Sequence, residues 1–137
     1  MAASLREATE KSAYVPFFAI VSKPADYVAA IDGHFVRAQE VDVVSRLSFM
    51  LHMHKTYPGT GTVCTGAAAR IPGTLVYRQL SEEARTRSEL RIGHPGGVIV
   101  VDAQSKNPLG TAFSRLAYER TARRIMEGTC YVKNDRI

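Results

Sequence analysis

The chain has 137 residues, 45% apolar and 23% charged, with a net charge of +5. These are globular proportions, so a disordered chain is excluded as the default, and one hydrophobic core fits this length without disulfide staples. No apolar run reaches the ~18–20 residues of a membrane-spanning helix, which excludes an integral helical membrane protein.

Residues 1–12 read as the tail of a helix or a frayed arm, with alternating charges but a thin apolar face. They have no apolar core segment of the kind a secretory signal needs. Residues 14–22, YVPFFAIVS, are aromatic and β-branched and predict a strand, with Pro16 near its start. Asp32-Gly33 marks a tight turn between two short extended pieces at 27–31 and 34–37. Over 40–55 the apolar residues Val43, Val44, Leu47, Met50, Leu51 and His54 follow a helical period and predict a helix. It stops at Tyr57-Pro58-Gly59. A second helix is predicted at about 60–71. Its residues are almost all small, which fits a helix packed on every side. Pro72-Gly73 ends it. Residues 74–80, 88–93 and 97–103 are short and β-rich, 111–120 alternates imperfectly, and 121–132 is ambiguous. The sum is an α+β chain.

The basic excess lies in the C-terminal half, and arginine dominates it: Arg78, Arg85, Arg87, Arg91, Arg115, Arg120, Arg123 and Arg124. Arginine forks suit carboxylates and phosphates, but no basic helix with interleaved aromatics is present, so nucleic acid is not an expected partner. Cys64 and Cys130 lie far apart, with neither C-x-x-C nor zinc spacing. They read as reduced thiols of a cytoplasmic protein, Cys64 as a core thiol, and no metal is expected.

The stretch carrying chemistry is Tyr57-Pro58-Gly59-Thr60-Gly61-Thr62. A helix start exposes unpaired N–H groups and the positive end of the dipole, and glycines let an oxygen approach. Thr60 and Thr62 add hydroxyls, so the four residues Gly59–Thr62 form a candidate carboxylate or phosphate cradle. The plain structural reading is a turn followed by a cap. It is neither a P-loop nor a dinucleotide fingerprint. His94, in Gly93-His94-Pro95-Gly96-Gly97, is a second candidate anion donor, with a surface turn histidine as the plain reading. His54 reads as a buried, hydrogen-bonded residue, and Lys55 as a helix-ending cation.

Three blocks, MHKTYPGTGTVCTGAAARIPGTLV, ELRIGHPGGVIVV and ERTARRIMEGTCYV, in this order and spacing, resemble the C-terminal part of the PrpF family. That family includes 2-methylaconitate cis–trans isomerase and 4-oxalomesaconate tautomerase. The stretch FFAIVSKPADYVAAIDGHFVRAQEVDVVSRLSFM resembles the start of the same part. The resemblance runs from about Tyr14 to Val132. It implies a diaminopimelate-epimerase-like fold, in which a mixed, mostly antiparallel sheet curls around a central helix, here about 60–71, and 122–132 becomes a strand. Residues 1–137 would be a single domain, the C-terminal lobe of a two-lobed protein with its substrate between the lobes, and residues 1–12 a helical arm or the remnant of the linker.

The resemblance further implies proton transfer beside a carboxylate, without a cofactor. The substrate-binding residues would be Gly59, Thr60, Gly61, Thr62, His94 and Gly96. Gly96 stands where the family block G-H-P-S-G has serine. Pro58 stands where related epimerases carry a cysteine, and Pro58 is neither acid nor base. The family's catalytic cysteine and lysine belong to the other domain, and nothing here matches its Cys-Gly-Asn loop. The expected function is therefore the carboxylate-binding half of an isomerase or tautomerase acting on an unsaturated di- or tricarboxylate, inactive alone. The expected partners are that small carboxylate and the missing N-terminal domain or a second copy. The alternative is a non-catalytic, self-associating binding module of the same fold.

Overall fold

The computed structural model describes residues 4–12, 17–50 and 52–132. An N-terminal helix, α1 (Leu5–Lys11), is capped by Ser4, whose hydroxyl accepts from Glu7 N–H. Strand β1 (Phe18–Ser22) follows; the predicted start of this strand at 14–16 lies outside the described residues. The Asp32-Gly33 turn joins β2 (Tyr27–Val28) to β3 (Phe35–Val36), with Gly33 at φ 74°. A single 3-10 turn over Ala38–Glu40 then leads into the main sheet.

Residues 40–55 do not form the predicted helix. They form β4 (Val43–Phe49) and the short β5 (His52–Met53), with Leu51 outside the described residues. Val43, Ser45 and Leu47 face the core, while Val44, Arg46 and Ser48 face outward, a period of two. Ser45 hid this period, because a serine at a core position reads as a break. Its hydroxyl is satisfied by Ile20 O and Tyr57 OH.

Helix α2 (Gly59–Ala68) matches the predicted central helix, starting and ending slightly early. Two further short helices follow, α3 (Leu75–Gln79) and α4 (Glu82–Thr86). The first replaces the strand expected over 74–80. Each has a hydroxyl cap: Thr74 accepts from Tyr77 N–H, and Ser81 accepts from Ala84 N–H. Strands β6 (Glu89–His94), β7 (Gly97–Ser105) and β8 (Phe113–Tyr118) form a meander close to the expected ranges. Beyond β8, residues 119–132 have no regular structure and are exposed, so the strand expected over 122–132 is not formed.

The main sheet has the order β1-β4-β6-β7-β8, with β5 paired to β4. Every pair is antiparallel except β4 and β6, which run parallel with Val43 opposite Ile92. A parallel pair needs a crossover. Here the crossover is the whole helical segment, and α2 covers the sheet face presented by Leu47, Leu90, Ile92 and Val101. Two glycines allow the close contact. A Cβ on Gly61 would lie 2.6 Å from Leu47 Cδ1, and one on Gly66 would lie 2.8 Å from Val101 Cγ2.

The sheet covers only one side of α2. Gly61, Thr62, Thr65 and Gly66 are buried, whereas Thr60 and Cys64 are exposed. The expectation of a helix enclosed all round, with Cys64 as a core thiol, is thus corrected: small residues suit close packing on one face without requiring it on the other.

Asp42 pins the parallel seam. Its carboxylate accepts from Arg91 N–H and Arg91 Nη2, both at 2.8 Å, and from Arg87 Nη2 at 2.5 Å. Burial pushes the Asp42 carboxyl up, but the hydrogen bonds and charges of Arg91 and Arg87 outweigh it and hold it below its ordinary value of 3.8. Asp42→Asn is expected to cost about 2 kcal/mol at neutral pH. That is less than for a fully buried pair, because both arginine side chains keep about a third of their exposure. The carboxylate's contribution is complete above pH 3.8 and is lost as pH falls through the lower folded value. Urea midpoints of the two proteins should converge in acid; a constant gap would refute the assignment.

Candidate anion site

Helix α2 starts at the end of the sheet where β4 and β6 finish. Gly61 seats on Leu47, near the end of β4, and the helix then runs over Val101 toward Ala103, the opposite end. Pro58 precedes it, has no side chain that can cap, and carries no N–H. Thr62 N–H is the first to bond inside the helix, to Pro58 O at 2.8 Å. The N–H groups of Gly59, Thr60 and Gly61 have no partner among the described residues, and the first turn holds no acidic residue. These three donors sit at the positive end of the helix dipole.

Thr62 differs from expectation. Its Oγ1 donates to Pro58 O at 3.1 Å, so both its donors serve its own helix and its hydroxyl is not free for a ligand. Thr60 is exposed. Gly59 is tightly enclosed: a Cβ there would fall 1.9 Å from Tyr118 OH. A cleft of about 490 Å³ opens at the helix start, lined by His54, Thr56, Tyr57, Gly59, Tyr118 and Arg120 among others.

Tyr57 anchors this loop to the core. Its hydroxyl lies 2.8 Å from Ser45 Oγ and 2.9 Å from Thr65 Oγ1. Ser45 donates onward to Ile20 O, so the protons run in one direction, from Thr65 through Tyr57 to Ser45. The Tyr57 ring also lies beside His94, with centroids 6.1 Å apart.

His94 ends β6 and is only 7% exposed, rather than a surface turn residue. Its turn is held by the β2–β3 hairpin through Ala30 N–H to Pro95 O at 2.6 Å and Tyr27 OH to Gly97 O at 2.5 Å. Burial foremost, then the charges of Arg46 and His54, lowers the His94 pKa to about 4. Gly96 packs against the same group: a Cβ there would meet Ile31 Cδ1 at 2.9 Å, Thr56 Cγ2 at 3.2 Å and His94 Cε1 at 3.3 Å. The six candidate residues thus fall in two groups, the helix start and the His94 turn, joined through Thr56 and Tyr57.

His54 lies after β5 rather than on a helix, half-buried, with Nδ1 accepting from Thr56 N–H at 3.1 Å. Lys55 follows it in the same loop. The sequence did not reveal the Ser45–Tyr57–Thr65 hydroxyl chain, whose members are scattered across β4, the loop and α2. Among the described residues no group of three His, Cys, Asp or Glu could hold a metal, and no helix is long and apolar enough to cross a membrane. The arginine excess is largely committed: Arg85, Arg87, Arg91, Arg115 and Arg124 each pair with a carboxylate.

Residues 1–133 match the PrpF protein family model. The chain belongs to the PrpF family. It is 48% identical over all 137 residues to 3-methylitaconate isomerase of Eubacterium barkeri, covering 35% of that protein. It is 37% identical over 126 residues to 2-methyl-aconitate isomerase of Cupriavidus necator, covering 91% of this chain and 31% of the relative. The crystal structure of a methylitaconate-delta-isomerase superposes with a TM-score of 0.78 at 50% identity, over 93% of this chain and 32% of the other. This PrpF chain therefore spans about a third of the length of these relatives. Its mixed sheet with a central helix is the diaminopimelate-epimerase-like fold expected of PrpF proteins.

Proposed function

We propose that this chain is the carboxylate-binding, C-terminal lobe of a cofactor-independent isomerase that moves a proton and a double bond in an unsaturated di- or tricarboxylate. The observation that carries the reading is the start of α2: three unpartnered N–H groups, no acidic side chain, and an open cleft that Gly59 lines. Kinship with isomerases of methylitaconate and methylaconitate supports the substrate class.

The chemistry fits such a division of labour. Removing a proton next to a carboxylate builds negative charge on the carboxylate oxygens, and oriented N–H groups stabilise that charge without reorganising. Gly59, Thr60 and Gly61 supply such donors, and Gly96 and His94 border the same loop. Thr62 contributes by closing the first turn. Acid and base would come from the other lobe, because Pro58 has no group that transfers a proton and burial makes His94 a weak base, with Nδ1 already accepting from Gly96 N–H. Residues 1–12 would be the end of the connection between the lobes.

Titrating the labelled chain with itaconate should shift the amide resonances of Gly59–Gly61 and leave those of the outer sheet face unmoved. The chain alone should not isomerise methylitaconate. Turnover by the isolated chain would overturn the lobe reading, and unmoved amides would overturn the site. One observation favours the second reading, a self-associating module: Phe18, Ile20 and Met53 are exposed on the outward face of the sheet, in register with Arg46 and Ser48. Dimerisation without itaconate binding would select it.

A further inference from the structure

We propose that His94 presents Nε2–H as a fixed, uncharged hydrogen-bond donor to a carboxylate oxygen of the ligand, its tautomer being set by the backbone amide of Gly96. The inference rests on the carboxylate-binding reading above and assigns the role of one residue within it.

The geometry decides the tautomer. Gly96 N–H points at His94 Nδ1 across 3.1 Å. A backbone N–H can only donate, so Nδ1 must accept, and the single proton of the neutral ring sits on Nε2. A second proton on Nδ1 would set two N–H groups against each other. The remaining neighbours oppose a charge as well. Arg46 on β4 donates to Gly93 O at 3.4 Å and stacks over the Tyr27 ring, which places a permanent cation beside the turn. His54 stands on the adjoining loop and Tyr57 against the imidazole face. His34, from the β2–β3 hairpin, lies near Gly97, where its Cε1 would be 3.1 Å from an added Cβ. No carboxylate is among these neighbours.

Nε2 forms no hydrogen bond among the described residues, yet it is not a sealed orphan, since the only such side-chain atom there is Arg87 Nε. A side chain nine-tenths buried thus keeps one donor open to an incoming acceptor. His54 repeats the device, with Nδ1 taken by the amide two residues on. An uncharged donor has a chemical advantage at this reaction. It stabilises a developing enediolate oxygen as the charge grows, but it is too weak an acid to hand over its proton and quench the intermediate.

The test begins with the free protein. Two-bond proton–nitrogen correlation of the imidazoles should show the Nε2–H tautomer for His94, unchanged through the ordinary histidine range near pH ~6.5. An Nδ1–H pattern, or a ring that charges near that pH, overturns the inference whatever the ligand does. Two variants then separate donor from scaffold. His94→Gln sets an amide nitrogen near the Nε2 position, and His94→Asn sets one near Nδ1. With itaconate as probe, His94→Gln should bind within about threefold of the parent and His94→Asn at least about tenfold more weakly. Equal affinity of all three overturns the donor role. Failure of the parent itself to bind itaconate overturns the carboxylate reading and the donor role together, which distinguishes that failure from a wrong tautomer.

Discussion

Arg70→Met is expected to destabilise the chain by about 3–5 kcal/mol, read as a lowered urea midpoint with an unchanged slope. Arg70 follows α2, is 7% exposed, and has no carboxylate partner among the described residues. Its guanidinium instead donates to four backbone carbonyls. Nε reaches Ala103 O at 2.9 Å, Nη1 reaches Ala84 O at 2.7 Å and Arg85 O at 3.1 Å, and Nη2 reaches Ser88 O at 3.1 Å. One planar fork thus ties β7, α4 and the lead-in to β6 to the end of the central helix. Methionine keeps the packing of the stem but leaves these carbonyls without their donor, each at about 1–3 kcal/mol if it stays dry. Partial hydration at the rim keeps the total below the simple sum. Arg70→Lys should recover less than half, because one ammonium cannot reach both α4 and β7. A loss below about 1 kcal/mol for Arg70→Met would show that the carbonyls find water freely.

Gly110→Ala is expected to cost about 3 kcal/mol or more. Gly110 sits at φ 67°, and a Cβ there would lie 2.0 Å from Arg70 O and 2.9 Å from Ile71 Cα. Both contacts are backbone, so no side-chain rotation relieves them. The loop cannot retreat easily: Thr111 N–H donates to Asn107 Oδ1 at 3.0 Å, and Asn107 Nδ2 donates to Thr111 Oγ1 at 3.1 Å. Gly33 supplies the control, with φ 74° and nothing within 4 Å of an added Cβ. Gly33→Ala should cost only the conformational strain of about 1–2 kcal/mol. The difference between the two variants measures the close approach alone. Equal losses in thermal or chemical unfolding would mean that backbone strain, not contact, governs Gly110.

These two positions show which parts of the fold could be read in advance. The β6–β7–β8 meander was legible because its turns carry Pro-Gly-Gly and Asn-Pro signals between β-branched runs. The central helix was legible from the small residues between Pro58 and Pro72. Strand β4 was not. Its core-facing Ser45 is satisfied only by Ile20 O and Tyr57 OH, partners that no local pattern reveals. Helices α3 and α4 carried readable caps in Thr74 and Ser81, but the β-branched and aromatic residues of TLVYRQL pointed the other way. The uncapped start of α2 was legible within the expected Gly59–Thr62 stretch, because a glycine-rich helix start is a local property. The closure of Thr62 onto Pro58 and the burial of His94 depend on which strands lie beside them, so they required the fold.

The parallel seam has a kinetic consequence. Asp42 and Arg91, the clasp across it, are 49 residues apart in the chain. On either side of it the strands pair with nearer neighbours, β1 with β4, β6 with β7, and β7 with β8. Each of these pieces can assemble by itself, whereas the seam must first draw the intervening helical segment into a closed loop. Closing a loop of that length costs about 3–4 kcal/mol of chain entropy. The cost is recovered only when Ile92 and Leu90 reach Val43 and Leu47. Joining the two pieces is therefore expected to be the late, rate-limiting event, which refolding kinetics would show as a slowed folding rate in Asp42→Asn. The start of α2 lies in the segment that crosses between the two pieces, and the His94 turn lies at the end of β6. The two halves of the candidate site are therefore brought together only once that crossing segment has settled on the sheet.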